Sequence, residues 1–134
     1  MKIQSPYGTW RSPFHVEAMS EAHRFYDAKW DNHTSTLVWH ERRMSGSALV
    51  AQRNGENPRD LLRDTSIGGH ILFGGGGFAV GGGHIYFVGA ASRIYVMPLA
   101  GGVPRPITPG YGAIGGLAPS PNGRYLLYVH SYEG

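Results

Sequence analysis

Serine residues are the side chains of this sequence that most directly suggest covalent chemistry. Ser45, Ser47 and Ser92 lie in stretches rich in Gly and Ala. A serine nucleophile stands on a strained strand-to-helix elbow, GxSxG, with a His to remove its proton and an acidic residue to orient that His. The pattern GxSxG occurs nowhere in the 134 residues. We therefore assign these serines to turns and predict that the chain holds no catalytic residue of its own.

Two glycine-rich segments could bring the backbone close to a phosphate. Gly110, Gly112 and Gly115 match GxGxxG, the spacing that accommodates a pyrophosphate at a helix N-terminus. The following residues, 117–121 (LAPSP), cannot begin a helix, so we predict a loop here. The tetraglycine 74–77 lacks the Lys-Ser/Thr of a phosphate loop, and we expect it to let a strand pack closely. No cofactor is expected.

Histidines and carboxylates are the remaining candidates for metal binding or acid-base chemistry. The seven histidines show no HxH, HxxxH or HExxH spacing, so no metal site is expected; they are His15, His23, His33, His40, His70, His84 and His130. Five carboxylates could place a pair near one another, but solvated positions or turn caps are the preferred assignment; they are Glu17, Glu21, Asp27, Asp31 and Glu41.

Two further patterns have ordinary structural interpretations. Residues 32–34 (NHT) satisfy the acceptor pattern for N-glycosylation, and we predict that they form a turn. Large rings are usually buried where sheets pack together. We therefore assign Trp10, Trp30, Trp39 and the eight tyrosines to packing between sheets.

Composition excludes several classes of protein. The formal net charge is +3, and the arginines are scattered along the chain, which predicts no nucleic-acid interface. The chain has no Cys, which excludes disulfides and thiolate metal sites. No apolar run approaches the roughly 18 residues of a membrane span, and the first residues lack the apolar region of a signal peptide. We expect a soluble, cytoplasmic protein that does not bind membranes.

Short runs of β-branched and aromatic residues between turn signals predict antiparallel strands. These strands must position the serines, histidines and carboxylates considered above. The chain has 21 Gly and 9 Pro, and 41% of its residues are hydrophobic, as in a turn-rich β protein. The predicted strands are 24–29, 35–42, 48–52 and 58–62 in a first unit, 77–80, 84–88, 93–99 and 104–108 in a second, and two strands in a third, of which one is 124–130. Residues 15–24 (HVEAMSEAHR) could instead form a short helix, although we prefer strand or irregular structure there.

The units repeat at about 40 to 50 residues, the range of propeller blades. Turn residues precede a strand in each unit, as in 82–83 before 85–87 and 121–123 before 125–128. The predicted fold class is all-β, an incomplete β-propeller of about two and a half four-stranded antiparallel blades, since closure needs roughly four to eight. The predicted boundaries are 1–23 for an N-terminal segment, 24–66 and 67–109 for two blades, and 110–134 for the start of a third.

Several segments resemble the propeller of the prolyl oligopeptidase family of serine peptidases, in its dipeptidyl aminopeptidase/acylaminoacyl-peptidase-like branch. They are 6–13 (PYGTWRSP), 39–43 (WHERR), 46–50 (GSALV), 85–87 (IYF), 93–95 (RIY), 104–109 (PRPITP) and 120–124 (SPNGR). Two departures are visible. Residues 71–75 (ILFGG) stand where many members have HEYGG, which puts a substrate contact there in doubt, and Asn122 stands where Asp is usual.

The resemblance implies that the chain is the N-terminal propeller portion of a serine peptidase. Its partners would then be the missing blades and an α/β-hydrolase domain, and the propeller would control access of short peptides to that domain. One alternative is a non-catalytic propeller similar to TolB that binds a protein partner, and another is a propeller lactonase with a metal in its channel. We also expect the apolar run 124–130 to form an exposed edge through which the isolated chain associates.

Overall fold

The fold consists of three open antiparallel sheets whose strands follow one another in chain order. The computed structural model describes residues 6–9, 23–63, 67–68 and 76–132. The sheets have four, four and two strands, so the predicted all-β, antiparallel architecture is confirmed. Within these ranges the helical structure is a single 3-10 turn, Ala90–Ser92, and no helix is long and apolar enough to cross a membrane. Most of the segment 15–24, including the helix alternative, lies outside the described residues.

The first sheet contains four strands of nearly the predicted extent. They are β1 (Arg24–Asp31), β2 (Thr36–Arg43), β3 (Gly46–Arg53) and β4 (Arg59–Arg63). In β2, Thr36, Val38 and His40 are buried, and Leu37 and Trp39 between them are half-buried. Side chains on a strand alternate between the two faces of the sheet, so the first of these sets shares one face and the second shares the other.

The second sheet matches the predicted second unit, with strands β5 (Phe78–Gly81), β6 (His84–Val88), β7 (Ile94–Pro98) and β8 (Arg105–Pro106). Gly82 and Gly83 join the first two strands and have φ angles of 59° and 77°. A two-residue hairpin turn of this kind needs positive φ at both positions, which glycine adopts without strain. The last strand is shorter than predicted, and its Pro106 has no backbone N–H to donate to a neighbouring strand.

The third sheet is the hairpin of β9 (Ala113–Pro119) and β10 (Leu126–Ser131). The prediction of a loop over 110–115 is wrong at its end, because Gly115 lies within β9 and pairs with Val129. Strand β10 begins two residues later than predicted because a turn precedes it. In that turn the Asn122 side-chain oxygen accepts hydrogen bonds from the backbone N–H of Arg124, at 3.0 Å, and from Ser120 Oγ, at 2.7 Å.

The second sheet is the middle layer, with apolar side chains packed on both faces. Toward the first sheet, the buried cluster consists of Val38, Leu49, Ala51, Phe78, Ile85, Phe87, Met97 and Leu99. Toward the third sheet, a smaller cluster consists of Val88, Ile94 and Ile114, with Tyr86, Leu117 and Leu126 against it. The opening strands of the three sheets are also neighbours, since β5 contacts both β1 and β9.

Candidate functional site

A cleft of about 550 Å³ lies beside the buried cluster, between the first sheet and the residues that lead into the second. Its polar lining comes from β1, β2 and β3, and its glycines come from the segments before β5. The lining residues are Tyr26, Asp27, Lys29, His40, Arg42, Ser47, Ile67, Gly68, Gly76 and Gly77. The volume lies within the range of small-molecule sites, so this cleft is the candidate site.

A β-bulge in β1 brings two successive side chains toward this cleft. The register pairs Phe25 with Glu41 and then Asp27 with His40, which leaves Tyr26 as the extra residue. A bulge places two residues opposite one partner and redirects a side chain that regular alternation would send to the other face. Tyr26 and Asp27 consequently both line the cleft.

His40 is the most deeply buried titratable group of the cleft, with 8% of its surface exposed. Its Nε2 atom is closed to solvent and has no hydrogen-bond partner among the described residues. The Tyr26 ring lies on the imidazole with a centroid separation of 4.8 Å. Burial lowers the pKa of His40, and the nearby Asp27 carboxylate offsets part of that effect. The imidazole is therefore neutral at pH 7.

Asp27 forms an ion pair with Lys29 of the same strand and lies close to Gly76. Its Oδ2 lies 3.1 Å from Lys29 Nζ, and its Oδ1 accepts a hydrogen bond from the Ala28 N–H at 2.8 Å. A Cβ atom added at Gly76 would lie 2.4 Å from Asp27 Oδ2. Only glycine fits at this position unless the carboxylate moves, which agrees with the close approach expected for the glycine-rich segment. Gly74 and Gly75 lie outside the described residues.

Arg42 supplies a cation to the cleft. It is exposed, it pairs with Ser47 in the register of β2 and β3, and both residues line the cleft. Within the part of the chain that the structure describes, no carboxylate forms an ion pair with Arg42. A guanidinium in this state can donate two parallel hydrogen bonds to a planar anion.

A second group of charges on the opposite face of the first sheet is already paired. Glu41, 4% exposed, accepts hydrogen bonds from Trp39 Nε1, at 2.6 Å, and from Arg43 Nε. Arg43 also donates two hydrogen bonds to the Asp60 carboxylate, both at 2.8 Å.

These contacts keep the three charged groups ionised. Burial alone would raise the pKa of Glu41, but the hydrogen bonds from Trp39 and Arg43 lower it. The hydrogen bonds from Arg43 lower the pKa of Asp60, and those to Asp60 and Glu41 raise the pKa of Arg43. Glu41, Arg43 and Asp60 are hydrogen-bonded to one another, and the Arg43–Asp60 contact joins strands β2 and β4. Because these charges are already paired, this group is not a candidate site.

The other predicted carboxylate that the structure describes is a turn cap. Asp31 is buried and accepts hydrogen bonds from the backbone N–H of Thr34, at 2.9 Å, and from its hydroxyl, at 2.6 Å. This confirms the cap assignment for Asp31 and the turn at 32–34. Glu17 and Glu21 lie outside the described residues. The packing assignment is only partly correct for tryptophan, since Trp30 is 51% exposed and Trp39 is half-buried.

The three serines are placed apart from one another. Ser45 is in the turn between β2 and β3, and Ser92 closes the 3-10 turn. Ser47 lies in β3, so its assignment to a turn is wrong. It pairs with Arg42, and the hairpin continues to the pair of Arg43 with Gly46. Among the described residues, no hydrogen bond joins these serines to a histidine.

The GxGxxG glycines serve close packing in a strand connection. Gly110 and Gly112 precede β9, and a Cβ atom at Gly112 would lie 2.5 Å from His130 Nε2. The next element is a strand and not a helix, so this segment lacks the helix N-terminus that a pyrophosphate site requires.

The described histidines are spread over the three sheets and their turns. Over residues 23–63 and 76–132, no three side chains of His, Asp or Glu come together as metal ligands. His15 and His70 lie outside the described residues. His130 is surrounded by tyrosine rings, with centroids 4.7 Å away for Tyr111 and 4.4 Å away for Tyr132.

Sequence reasoning missed the cleft because its residues are separated in the chain. Strand alternation in β2 does place His40 and Arg42 on the face of Val38, and that signal was available. The bulge at Tyr26 carries no comparable signal.

Compared with models of protein families and with curated proteins, the chain matches neither a family model nor a curated protein.

Proposed function

We propose that the chain is the N-terminal part of a β-propeller belonging to a serine peptidase similar to dipeptidyl aminopeptidases and acylaminoacyl-peptidases. In this role the propeller admits short peptides to a hydrolase domain carried elsewhere in the parent protein. The observation that carries the proposal is the succession of sheets in chain order, with the opening strands β1, β5 and β9 side by side. Blades around a propeller channel are arranged in this way.

The uneven covering of the sheets supports the same proposal. Sheet two is buried on both faces, whereas large apolar side chains remain exposed on sheets one and three, including Phe25 (68% exposed) and Leu127 (71% exposed). In a closed propeller each blade is covered by two neighbours. Further blades packed against sheets one and three would bury these side chains, at roughly 25 cal/mol for each Å² of apolar surface.

The resemblance of the chain to this peptidase family supplies the chemistry of the proposal. The matching segments follow the family order from 6–13 to 120–124 and occur on both four-stranded sheets. Within the described part of the chain, Ser45, Ser47 and Ser92 have no hydrogen bond to a histidine of the kind that activates a nucleophile. The proposal therefore assigns catalysis to a hydrolase domain and assigns selection of peptides by size to the propeller.

The coding region that follows Gly134 tests this proposal. We expect it to encode further four-stranded repeats and then a GxSxG elbow followed by Asp and His. A fluorophosphonate probe should label that serine in the parent protein and should leave the 134-residue chain unlabelled. Stoichiometric labelling of Ser45, Ser47 or Ser92 would contradict the assignment of catalysis.

A stop codon directly after Gly134, with no hydrolase domain in the gene, would overturn the peptidase proposal. Further repeats without a GxSxG elbow would instead support the non-catalytic propeller similar to TolB. The feature that this chain shares with such propellers is the hairpin 120–124 (SPNGR), in which the Asn122 side chain accepts hydrogen bonds within the turn.

A further inference from the structure

Among the described residues that line the cleft beside the first sheet, the charges do not balance. Asp27 and Lys29 form an ion pair at 3.1 Å and largely cancel one another. Arg42 has no carboxylate partner in the described part of the chain. With His40 neutral, the described lining residues carry one unit of positive charge in excess. A cleft of this size with one unpaired guanidinium is complementary to a small anion.

We propose that this cleft binds the carboxylate group of a small organic acid or of a short peptide. This inference goes beyond the proposed peptidase propeller and does not depend on it. The planar Arg42 guanidinium matches the two oxygens of a carboxylate, and the Ser47 hydroxyl on the neighbouring strand can donate a further hydrogen bond. A monocarboxylate also matches the excess of one positive charge.

The remainder of the cleft fits an apolar substituent next to that carboxylate. The Tyr26 ring lies over the imidazole of His40, and Ile67 contributes a partly buried aliphatic surface. Burial lowers the pKa of His40, so the imidazole adds a neutral wall and not a second cation at pH 7. The site is therefore expected to prefer an organic acid with a hydrophobic side chain over a compact inorganic anion.

Asp27 argues against two other ligand classes. Its carboxylate would repel the second charge of a phosphate dianion, and the Arg42 guanidinium would repel a divalent cation. Phosphate and Ca²⁺ are therefore predicted to bind more weakly than a monocarboxylate. They serve as comparison probes.

The direct test compares two probes that differ only at the carboxylate, N-acetyl-leucine and N-acetyl-leucinamide. Each is titrated into the ¹⁵N-labelled 134-residue chain at pH 7, and the amide shifts are followed by NMR. We expect saturable shifts in β1, β2 and β3 around the cleft with the acid, and none with the amide. Equal shifts with both probes, or no saturable shift with the acid, would overturn the proposal.

A matched pair of arginine variants locates the site. Arg42→Gln removes the cation of the cleft, and we expect about tenfold weaker binding of N-acetyl-leucine, the loss typical of one charge-assisted hydrogen bond. Arg53→Gln makes the same change at an exposed position at the end of β3, outside the cleft lining, and should leave the affinity unchanged. Equal losses in both variants would point to nonspecific electrostatic attraction and would contradict the assigned site.

Asp27→Asn provides an independent test, because it should strengthen binding where Arg42→Gln weakens it. Removal of this carboxylate frees Lys29 and raises the excess charge of the cleft by one. We expect the affinity for N-acetyl-leucine to increase and the affinity for phosphate to increase more. The ratio of the two affinities should therefore become smaller. Weaker binding of both anions by a folded Asp27→Asn variant would contradict the proposed electrostatics.

Two peptide probes distinguish a free acid from a peptide terminus. Acetyl-Ala-Ala-Leu with a free carboxylate is compared with its C-terminal amide and with N-acetyl-leucine. Tighter binding of the acid tripeptide than of N-acetyl-leucine would identify a peptide C-terminus as the ligand. Tighter binding of N-acetyl-leucine would identify a small organic acid, and either result requires that the tripeptide amide does not bind.

Discussion

Strand β6 in the middle sheet and strand β10 in the last sheet have similar sequences but opposite environments. Both are short, rich in aliphatic and aromatic residues, and entered through a turn that contains glycine. In β6, Ile85 is fully buried and Phe87 is 2% exposed, whereas in β10, Leu127 is 71% and Val129 54% exposed. The difference lies in their neighbours, because β6 has a strand on each edge and a sheet over each face.

The comparison shows that strand formation and burial are separate outcomes in this chain. Side-chain pattern and turn residues are sufficient to predict that β6 and β10 are strands. Stabilisation by burial depends on sheets that other parts of the chain must supply. The contribution of a residue to stability is therefore expected to follow its position among the sheets and not its type.

The largest expected effect is the contrast between two truncations, Phe87→Ala in β6 and Leu127→Ala in β10. Phe87 packs in the cluster between sheets one and two, so its truncation leaves a cavity and should cost about 3 to 5 kcal/mol of unfolding free energy. Leu127→Ala should change that free energy by less than about 0.5 kcal/mol. Urea unfolding followed by circular dichroism measures both; similar losses would show that sheet three is covered in solution.

A second contrast concerns charged residues of the first sheet. Arg43→Ala leaves the buried Glu41 without a guanidinium and leaves Asp60 paired with Arg63 alone, and we expect a loss of about 2 kcal/mol of unfolding free energy. Arg53→Ala at the exposed end of β3 is the matched control and should have little effect. If the two variants lose the same free energy, the Glu41, Arg43 and Asp60 contacts do not stabilise the sheet.

The third prediction uses pH to compare the buried His40 of the first sheet with an exposed histidine of the second. The pKa of His40 is lowered in the folded chain, whereas the unfolded value is about 6.5. As the pH falls through 6.5, the unfolded chain takes up a proton that the folded chain does not, so stability decreases toward lower pH. The decrease should be at most about 1.4 kcal/mol for each pH unit.

His40→Leu should reduce this pH dependence between pH 7.5 and 5.5, because leucine replaces the imidazole beside Leu49 without a titrating group. His84→Leu removes an exposed imidazole from β6 and is the matched control. Unfolding free energies at several pH values provide the measurement. If the unfolding free energy changes with pH equally in His40→Leu and in the unsubstituted chain, His40 is not the source of the pH dependence.

The sequence was sufficient to predict the architecture where local signals decide the structure. The turn at Gly82 and Gly83 needs positive φ angles, and the alternation in β2 separates two faces, so strand positions were correct to within about two residues. Two strands were predicted for the third unit, but only 124–130 received bounds, because Gly115 and Gly116 provide no side-chain pattern. The pairing of Gly115 with Val129 in β10 fixes the position of β9. Tertiary pairing overrides weak local preference in such cases.

The candidate site could be predicted only in part. Alternation places His40 and Arg42 on one face, but the partners that complete the cleft depend on long-range contacts. The bulge that turns Tyr26 toward His40 is one example, and the approach of Gly76 to Asp27 is another. Neither follows from local sequence, because each depends on the register or packing of separate elements.

The last prediction concerns strand β10, where we expect a substitution to change stability very little but to change self-association clearly. Strand β10 pairs with β9 on one edge, and no described strand covers its other edge. That edge belongs to the run from Leu126 to Val129, which contains no charge. Unpaired backbone groups on an apolar edge are a template for pairing with another chain.

We therefore expect the isolated chain to self-associate through β10, and Leu127→Lys to reduce that association while changing the unfolding free energy by less than about 0.5 kcal/mol. In an antiparallel pair of two β10 strands, the introduced charges lie close enough to repel one another. Leu127→Thr is the matched control, since it removes apolar surface but keeps β propensity. Sedimentation velocity should show a larger shift toward monomer for Lys than for Thr. A monodisperse monomer of the unsubstituted chain, with a cooperative thermal transition above about 60 °C, would show that the chain completes its own core and that the edge of β10 is not a site of association.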